Sequence, residues 1–174
     1  MKKLLLLVLT TLFLTACGQE KVEVNLDPVA IHSGDECHLC GMVIQEWPGP
    51  KGEVIDGKKG DVLKFCSTTD MLSWYLQPEN KNFQGAIYVH DMAKAHWDKP
   101  DDQYLIDATK AFYVIGSHKQ GMGPTLASFA SKQNAEHFAH KEGGRVLTFN
   151  EIGIDTLSEV TRQGMEMMDE HTGH

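Results

Sequence analysis

The side chains able to do chemistry in this chain are soft or borderline metal donors: nine His, eight Met and four Cys in an acidic sequence of 174 residues. The densest group is Cys37-His38-Leu39-Cys40-Gly41-Met42. Two cysteines with two residues between them can place both sulfurs on one ion, and Met42 adds a thioether two residues later. A haem attachment site needs His directly after the second cysteine, and Gly41 stands there instead. A structural zinc site wants four nitrogen or sulfur ligands, usually from two paired knuckles, and this chain has one such pair. A thioredoxin-like redox pair follows a strand and opens a helix. This pair follows a polar stretch and precedes a β-branched run. What remains is a soft ion. Cu(I) accepts thiolate and thioether and is satisfied by two or three ligands. Methionine also binds without losing a proton and is not consumed in a disulfide, which matters in an oxidising compartment. A Cys37–Cys40 disulfide is the alternative there.

Two further sulfurs are candidates. Cys66 ends a predicted strand just before Ser67, a helix-capping residue, so the amides and dipole of a helix N-terminus would favour its thiolate. The alternative is a small buried apolar residue, since Ala130 fills the matching place further on. Met122 lies in Gly121-Met122-Gly123-Pro124, where it has little core to fill; the glycines would let the loop turn its thioether inward. A plain loop methionine is the other reading. The candidate ligands are therefore Cys37, Cys40, Met42, Cys66 and Met122, more soft atoms than one Cu(I) needs. Met165, Met168, His171 and His174 form either a looser second collector or a packing stripe with a polar end. His90, Met92, His96, His118, His137 and His140 read as ordinary surface or core residues.

The elements that must position these groups occur twice. Phe65-Cys66-Ser67 and Asp70 line up with Phe129-Ala130-Ser131 and Asn134. Ser67 and Ser131 suit helix N-termini, with Pro78 and Gly143-Gly144 as stops. Predicted strands in the first half are Met42–Ile44, Glu53–Ile55, Val62–Phe65 (after an Asp56–Gly60 turn) and Ala86–Val89. Those in the second are Tyr104–Ile106, Ala111–Ile115, Leu126–Phe129 and Arg145–Phe149. Asp155–Met168 suits a final helix. The expected fold is α+β, two similar small ββαβ-type units packed together.

Residues 1–16 have a charged start, a short apolar run and small residues before Cys17. The run is too short for a membrane span of about 20 residues. Leu14-Thr15-Ala16-Cys17 has the pattern of a bacterial lipobox, with Cys17 acylated after cleavage; several acyl chains anchor firmly where one does not. Gly18 after the cysteine favours the outer membrane over the inner. The expected organisation is a signal peptide (1–16), a lipidated N-terminus and flexible linker (17–36), a first half (37–100), a second half (101–152), and a C-terminal helix with a Met/His-rich tail (153–174). A composition 41% apolar and 23% charged is globular, and a formal net charge of −8 excludes a nucleic-acid binder resting on phosphate neutralisation.

The assembled motifs resemble the NosL family, the nitrous oxide reductase accessory lipoproteins. The likeness runs through Leu14–Cys17, Cys37-x-x-Cys40-Gly41-Met42, Pro48-Gly49-Pro50-Lys51 and Phe65-Cys66-Ser67. It continues through Trp97-Asp98, Tyr113-Val114-x-Gly116-Ser117, Gly121-Met122-Gly123 and Gly143-Gly144-Arg145-Val146. It covers the mature chain from about Glu36 to Ile152. The resemblance implies a periplasmic chaperone that carries Cu(I) to the maturation of nitrous oxide reductase in denitrification, alongside an ABC-type maturation transporter. It also implies a fold similar to organomercury lyase, without the lyase activity. The expectation is a non-enzymatic, lipid-anchored Cu(I) donor. The rival is a thiol-disulfide oxidoreductase, with Cys37 as nucleophile and Cys40 resolving, that keeps a partner's metal-site cysteines reduced.

Overall fold

The computed structural model describes residues 23–172, with side chains to residue 164. The leader, Cys17 and the Met/His tail side chains lie outside the described residues. Strands β1 (Gly52–Asp56) and β2 (Val62–Phe65), helix α1 (Thr68–Tyr75) and strand β3 (Gly85–His90) make the first ββαβ unit. Strand β4 (Leu105–Asp107) follows. Then come β5 (Phe112–Ile115), a small hairpin of β6 (Gln120–Gly121) and β7 (Gly123–Pro124), β8 (Ala127–Phe129), α2 (Lys132–Glu142), β9 (Arg145–Thr148) and the final helix α3 (Ile154–Thr172).

The repeat is real at the level of register. Gly52 pairs with Phe65 and Val89 in a sheet ordered β2-β1-β3-β4; Phe112 pairs with Phe129 and Thr148 in a sheet ordered β8-β5-β9. Both are antiparallel, and each helix follows the equivalent strand. Ser67 accepts from the Asp70 amide and Ser131 from the Asn134 amide, so the same cap starts both helices. The halves differ in the connection between their first two strands. In the first it is the tight turn at Asp56–Gly60, whose Asp56 carboxylate accepts two backbone amides. In the second it is the β6–β7 hairpin with Met122 at its tip.

Three expectations about the chain path change. Met42–Ile44 is not a strand: Val43 forms a single bridge with Glu36, and a 3-10 turn takes over at Ile44–Glu46. Gly41 turns the chain at φ +73 just before this segment and the 3-10 turn bends it just after, so no extended run forms, and Ile44 is buried. The strand read as Tyr104–Ile106, placed with the second half, joins the first sheet as β4 against β3. Its three residues pair with the outer edge of β3 and extend that sheet to four strands. Part of the polar linker is docked rather than free. Residues 26–31 cross the first sheet, where Lys64, Glu53, Tyr88 and Asp107 form a polar row through their cross-strand pairing. Glu53 accepts from the Val29 amide, the Tyr88 hydroxyl donates to Leu26 O, and Lys64 Nζ donates to Ala30 O.

The opposite face of that sheet carries α1. Gly52 is required at the crossing, since a Cβ there would lie 2.4 Å from Met71 Cβ. The main core runs from Val54, Ile87 and Val89 through Met71 and Leu72 to Tyr113, Ile115 and Leu147 of the second sheet, and Leu157 and Val160 of α3 close it. Helix α2 covers the second sheet's other face through Ala135 and Phe138, which meet Phe129 and Val114. Burial of large apolar side chains on this scale, each contributing about 1.5–3 kcal/mol, fixes the two units against each other.

Candidate metal centre

The Cys37–Met42 segment is a closed loop. The Cys37 amide donates to Met42 O and the Gly41 amide to Cys37 O, both at 2.8 Å, and the Glu36–Val43 bridge seals its neck. Gly41 has φ +73, the left-handed turn that a Cβ would disfavour. The His38 amide donates to Lys64 O at 2.8 Å, which ties the loop to the edge of β2. Cys37 points inward and is 2% exposed, whereas Cys40 is exposed at the tip.

Strand β2 ends at Phe65, so Cys66 occupies the step between strand and helix and is fully buried. Its Sγ lies 3.4 Å from Cys40 Sγ and 3.0 Å from Asp70 Oδ2, and Cys37 Sγ lies 3.6 Å from the same oxygen. Asp70 sits in the first turn of α1, one helical turn beyond Cys66. From the second unit comes Met122, its Sδ 3.5 Å from Cys66 Sγ and 3.9 Å from Cys40 Sγ. Gly123, at φ +77, makes the tight reversal that puts Met122 at the hairpin tip. Among the described residues, Cys37, Cys40, Cys66 and Asp70 are the one group of three or more His, Cys, Asp or Glu whose donor atoms converge, all within 4.8 Å.

The electrostatics of the cluster are uneven. A hydrogen bond from Cys66, outweighing burial, pulls the Cys37 thiol down to about 4, with the Cys66 and Cys40 amides assisting. Cys66 moves the other way: its hydrogen bonding to Cys37, its burial and the Asp70 carboxylate hold it protonated, far above an ordinary thiol. Burial likewise raises Cys40 and Asp70. Cys66 therefore does not gain the acidity expected of a thiol beside a helix N-terminus: its hydrogen bonding to Cys37, its burial and, after these, the Asp70 carboxylate in that first turn all favour the protonated form.

Of the five candidate ligands, the fold brings together Cys37, Cys40, Cys66 and Met122. All three cysteines are free thiols. Met42 is 41% exposed, and its carbonyl accepts from the Cys37 amide in the loop. His90 is buried, with Nδ1 accepting from the Lys51 amide and Nε2 against Asp102 at 3.1 Å, a structural link. Two residues escaped the sequence reading as site residues. Asp70 was visible only as a helix-capping partner; its spacing of four from Cys66, one helical turn, was the available signal. Lys51 is 3% exposed, and its Nζ donates to Trp47 O, Pro48 O and Cys66 O. Burial draws it down to about 8, opposed by electrostatic attraction to the neighbouring Cys66 and Cys37 groups. A buried lysine beside three thiols supplies positive charge under a cluster that becomes anionic when it ionises.

The donor set is soft, held by two halves of the chain, and open to solvent at Cys40. Comparison with known proteins agrees in kind. The NosL family model matches residues 28–157. The copper-binding lipoprotein NosL of Stutzerimonas stutzeri is 51% identical over 96% of this chain and 88% of its own. That of Achromobacter cycloclastes is 36% identical over 84% and 78%. The crystal structure of the copper chaperone NosL from Shewanella denitrificans superposes with a TM-score of 0.73 at 44% identity, covering 75% of this chain and 98% of that one. With its repeated ββαβ units, its Cys37-x-x-Cys40-Gly41-Met42 loop and this extent of similarity, the chain belongs to the NosL family.

Proposed function

We propose that this chain is a lipid-anchored Cu(I) carrier on the periplasmic side of a membrane, the outer more than the inner. It hands copper on for assembly of the copper centres of nitrous oxide reductase, with an ABC-type maturation transporter as partner. The observation that carries this reading is the convergence of Met122 Sδ from one unit on the Cys40 and Cys66 sulfurs of the other, at 3.9 and 3.5 Å. A thioether adds nothing for Zn(II) and is a natural ligand for Cu(I). The names of the relatives support copper as the ion, and their description as lipoproteins supports the anchor at Cys17.

Copper is the cargo. Cys37 offers a thiolate ready to bind, while Cys66 surrenders its proton as the ion enters, with Asp70 as the nearest acceptor. Lys51 offsets the charge of the loaded cluster. Cys40 is the one exposed thiol of the cluster, so an incoming ligand from a partner meets the ion there and exchange proceeds through shared coordination. Transfer needs no reaction at carbon or change of oxidation state, and the role is non-enzymatic.

The oxidoreductase reading draws on one observation, the low pKa of Cys37 within a C-x-x-C pair. It is opposed by burial: the ionised sulfur is 2% exposed, and the accessible one, Cys40, is raised. A thiol-exchange nucleophile must be both ionised and reachable.

The test is anaerobic competition between Cu(I) and Zn(II) for the reduced protein, repeated with Met122→Leu. One tightly held Cu(I) is expected, weakened about tenfold by the substitution, equivalent to about 1.4 kcal/mol. Folding should change by less than about 1.5 kcal/mol, because leucine conserves volume. Preference for Zn(II) would refute the copper reading. A changed Cys37–Cys40 reduction potential with intact copper binding in Met122→Leu would favour the oxidoreductase.

A further inference from the structure

Three of the four sulfurs belong to the first unit, and Met122 alone has to be carried across. Its hairpin is clamped from two sides. On one side the Pro48–Gly49 loop lies so close that a Cβ on Gly121 would sit 2.9 Å from Pro48 O, and one on Gly49 would sit 3.2 Å from Gly121 Cα. Trp97 Nε1 donates to Gln120 O at 2.9 Å on this side. On the other side stands the C-terminal helix. Gly164 of α3 faces Pro124 so closely that a Cβ there would lie 1.9 Å from Pro124 Cγ and 2.8 Å from its Cδ. Leu157, Val160 and Gly164 are spaced three and four apart, one helical face. The first two bury in the core, and the glycine leaves a notch in which the proline ring sits. Glycine is the poorer helix former, so its presence within a 19-residue helix is offset by this contact. Thr69 of α1, next to Asp70, donates to Pro124 O at 3.3 Å. Pro124 is thus the fixed point two residues from Met122.

We propose that Gly164 is a positioning residue for the metal centre: by admitting the Pro124 ring it sets how far Met122 reaches onto Cys40 and Cys66, which makes the C-terminal helix part of the site's architecture. The positional claim stands on the geometry; its consequence for copper rests on the proposed function above.

The experiment uses the mature chain with methyl-labelled methionine, reduced and copper-free, followed by Cu(I) competition against a bidentate chelator. Gly164→Ala adds one methyl group and keeps the helix. It should move the Met122 methyl resonance and weaken Cu(I) about tenfold, as Met122→Leu does. Adding Pro124→Ala, which removes most of the opposing ring, should restore both readings. In a Met122→Leu background, Gly164→Ala should weaken Cu(I) no further. An unmoved Met122 methyl in Gly164→Ala would overturn the proposal. So would a copper defect that persists beside Pro124→Ala or adds to Met122→Leu, since that is a general disturbance. If Gly164→Ala fails to fold, Pro124→Ala alone, which empties the notch, should move the Met122 methyl, and an unmoved signal overturns the proposal equally. A methyl that moves in Gly164→Ala while Met122→Leu leaves copper affinity unchanged upholds the positioning and refutes Met122 as a copper ligand.

Discussion

Replacing Asp70 by asparagine separates a soft-metal carrier from a hard-metal site. The carboxylate accepts from the Cys66 thiol at 3.0 Å and lies 3.6 Å from Cys37 Sγ, so it holds a proton on the cluster that copper must displace. A hydrogen bond to a charged acceptor contributes about 1.5–3 kcal/mol against about 1 kcal/mol for a neutral one. Asparagine keeps the shape and the acceptor but loses the charge, so the Cys66 proton should be held less firmly by about 1 kcal/mol. At pH 7, where Cys66 is protonated, that converts to roughly a fivefold gain in apparent Cu(I) affinity. Relief of repulsion between carboxylate and bound thiolates acts in the same direction. Stability should change little. The Asp70 amide still donates to Ser67 Oγ, and the lost charge–dipole attraction of about 0.3–1 kcal/mol is offset by no longer burying a carboxylate. The same substitution removes a hard oxygen that Zn(II) would use, so Zn(II) binding should weaken. Chelator competition for both ions at pH 7, with urea unfolding as control, reads all three quantities. Weaker or unchanged Cu(I) binding in Asp70→Asn would refute this account of the cluster.

Cu(I) binding at pH 7 should release at least one proton, because Cys66 and Cys40 are raised while Cys37, near 4, is already ionised. Apparent affinity should therefore rise with pH between about 5 and 8, and calorimetry in buffers of different protonation enthalpy counts the protons; none released would contradict it. Lys51→Met should destabilise the fold by about 2–4 kcal/mol, because Trp47 O, Pro48 O and Cys66 O lose their donor. Lys51 titrates near 8 in the fold and near 10.5 when free, so the unfolded chain binds more protons between those values. Wild-type stability relative to Lys51→Met should then grow as pH rises from 8 towards 10.5, and a flat difference in denaturation midpoints would refute it. Cys17→Ala should leave a precursor that takes up no palmitate; an acylated, membrane-bound variant would overturn the lipobox reading.

The sequence by itself determined the repeated αβ architecture, because its signals are local. Short apolar runs at Glu53–Ile55 and Val62–Phe65, paired Ser caps at Ser67 and Ser131, and Pro and Gly stops each act within a few residues of where they stand. It also named the chemistry, since the pairing of thiols with thioethers is a property of residue type and spacing. Tertiary structure decided which of the five soft atoms meet. Gly41 and the Glu36–Val43 bridge curl the loop so that Met42 contributes a carbonyl and faces solvent, and no periodicity encodes that turn. The sequence marked Met122 as unusual between its glycines, but its place opposite Cys66 depends on the stacking of the two units, on the Pro48–Gly49 loop and on the Gly164 notch, separated by more than a hundred residues. The burial of Lys51, the edge position of β4 and the docking of residues 26–31 were decided in the same way. Each follows from free space, an unpaired strand edge or a row of polar side chains that exists only after distant segments have packed. Local propensity sets which elements form; the donor geometry of the cluster is a sum over contacts between them.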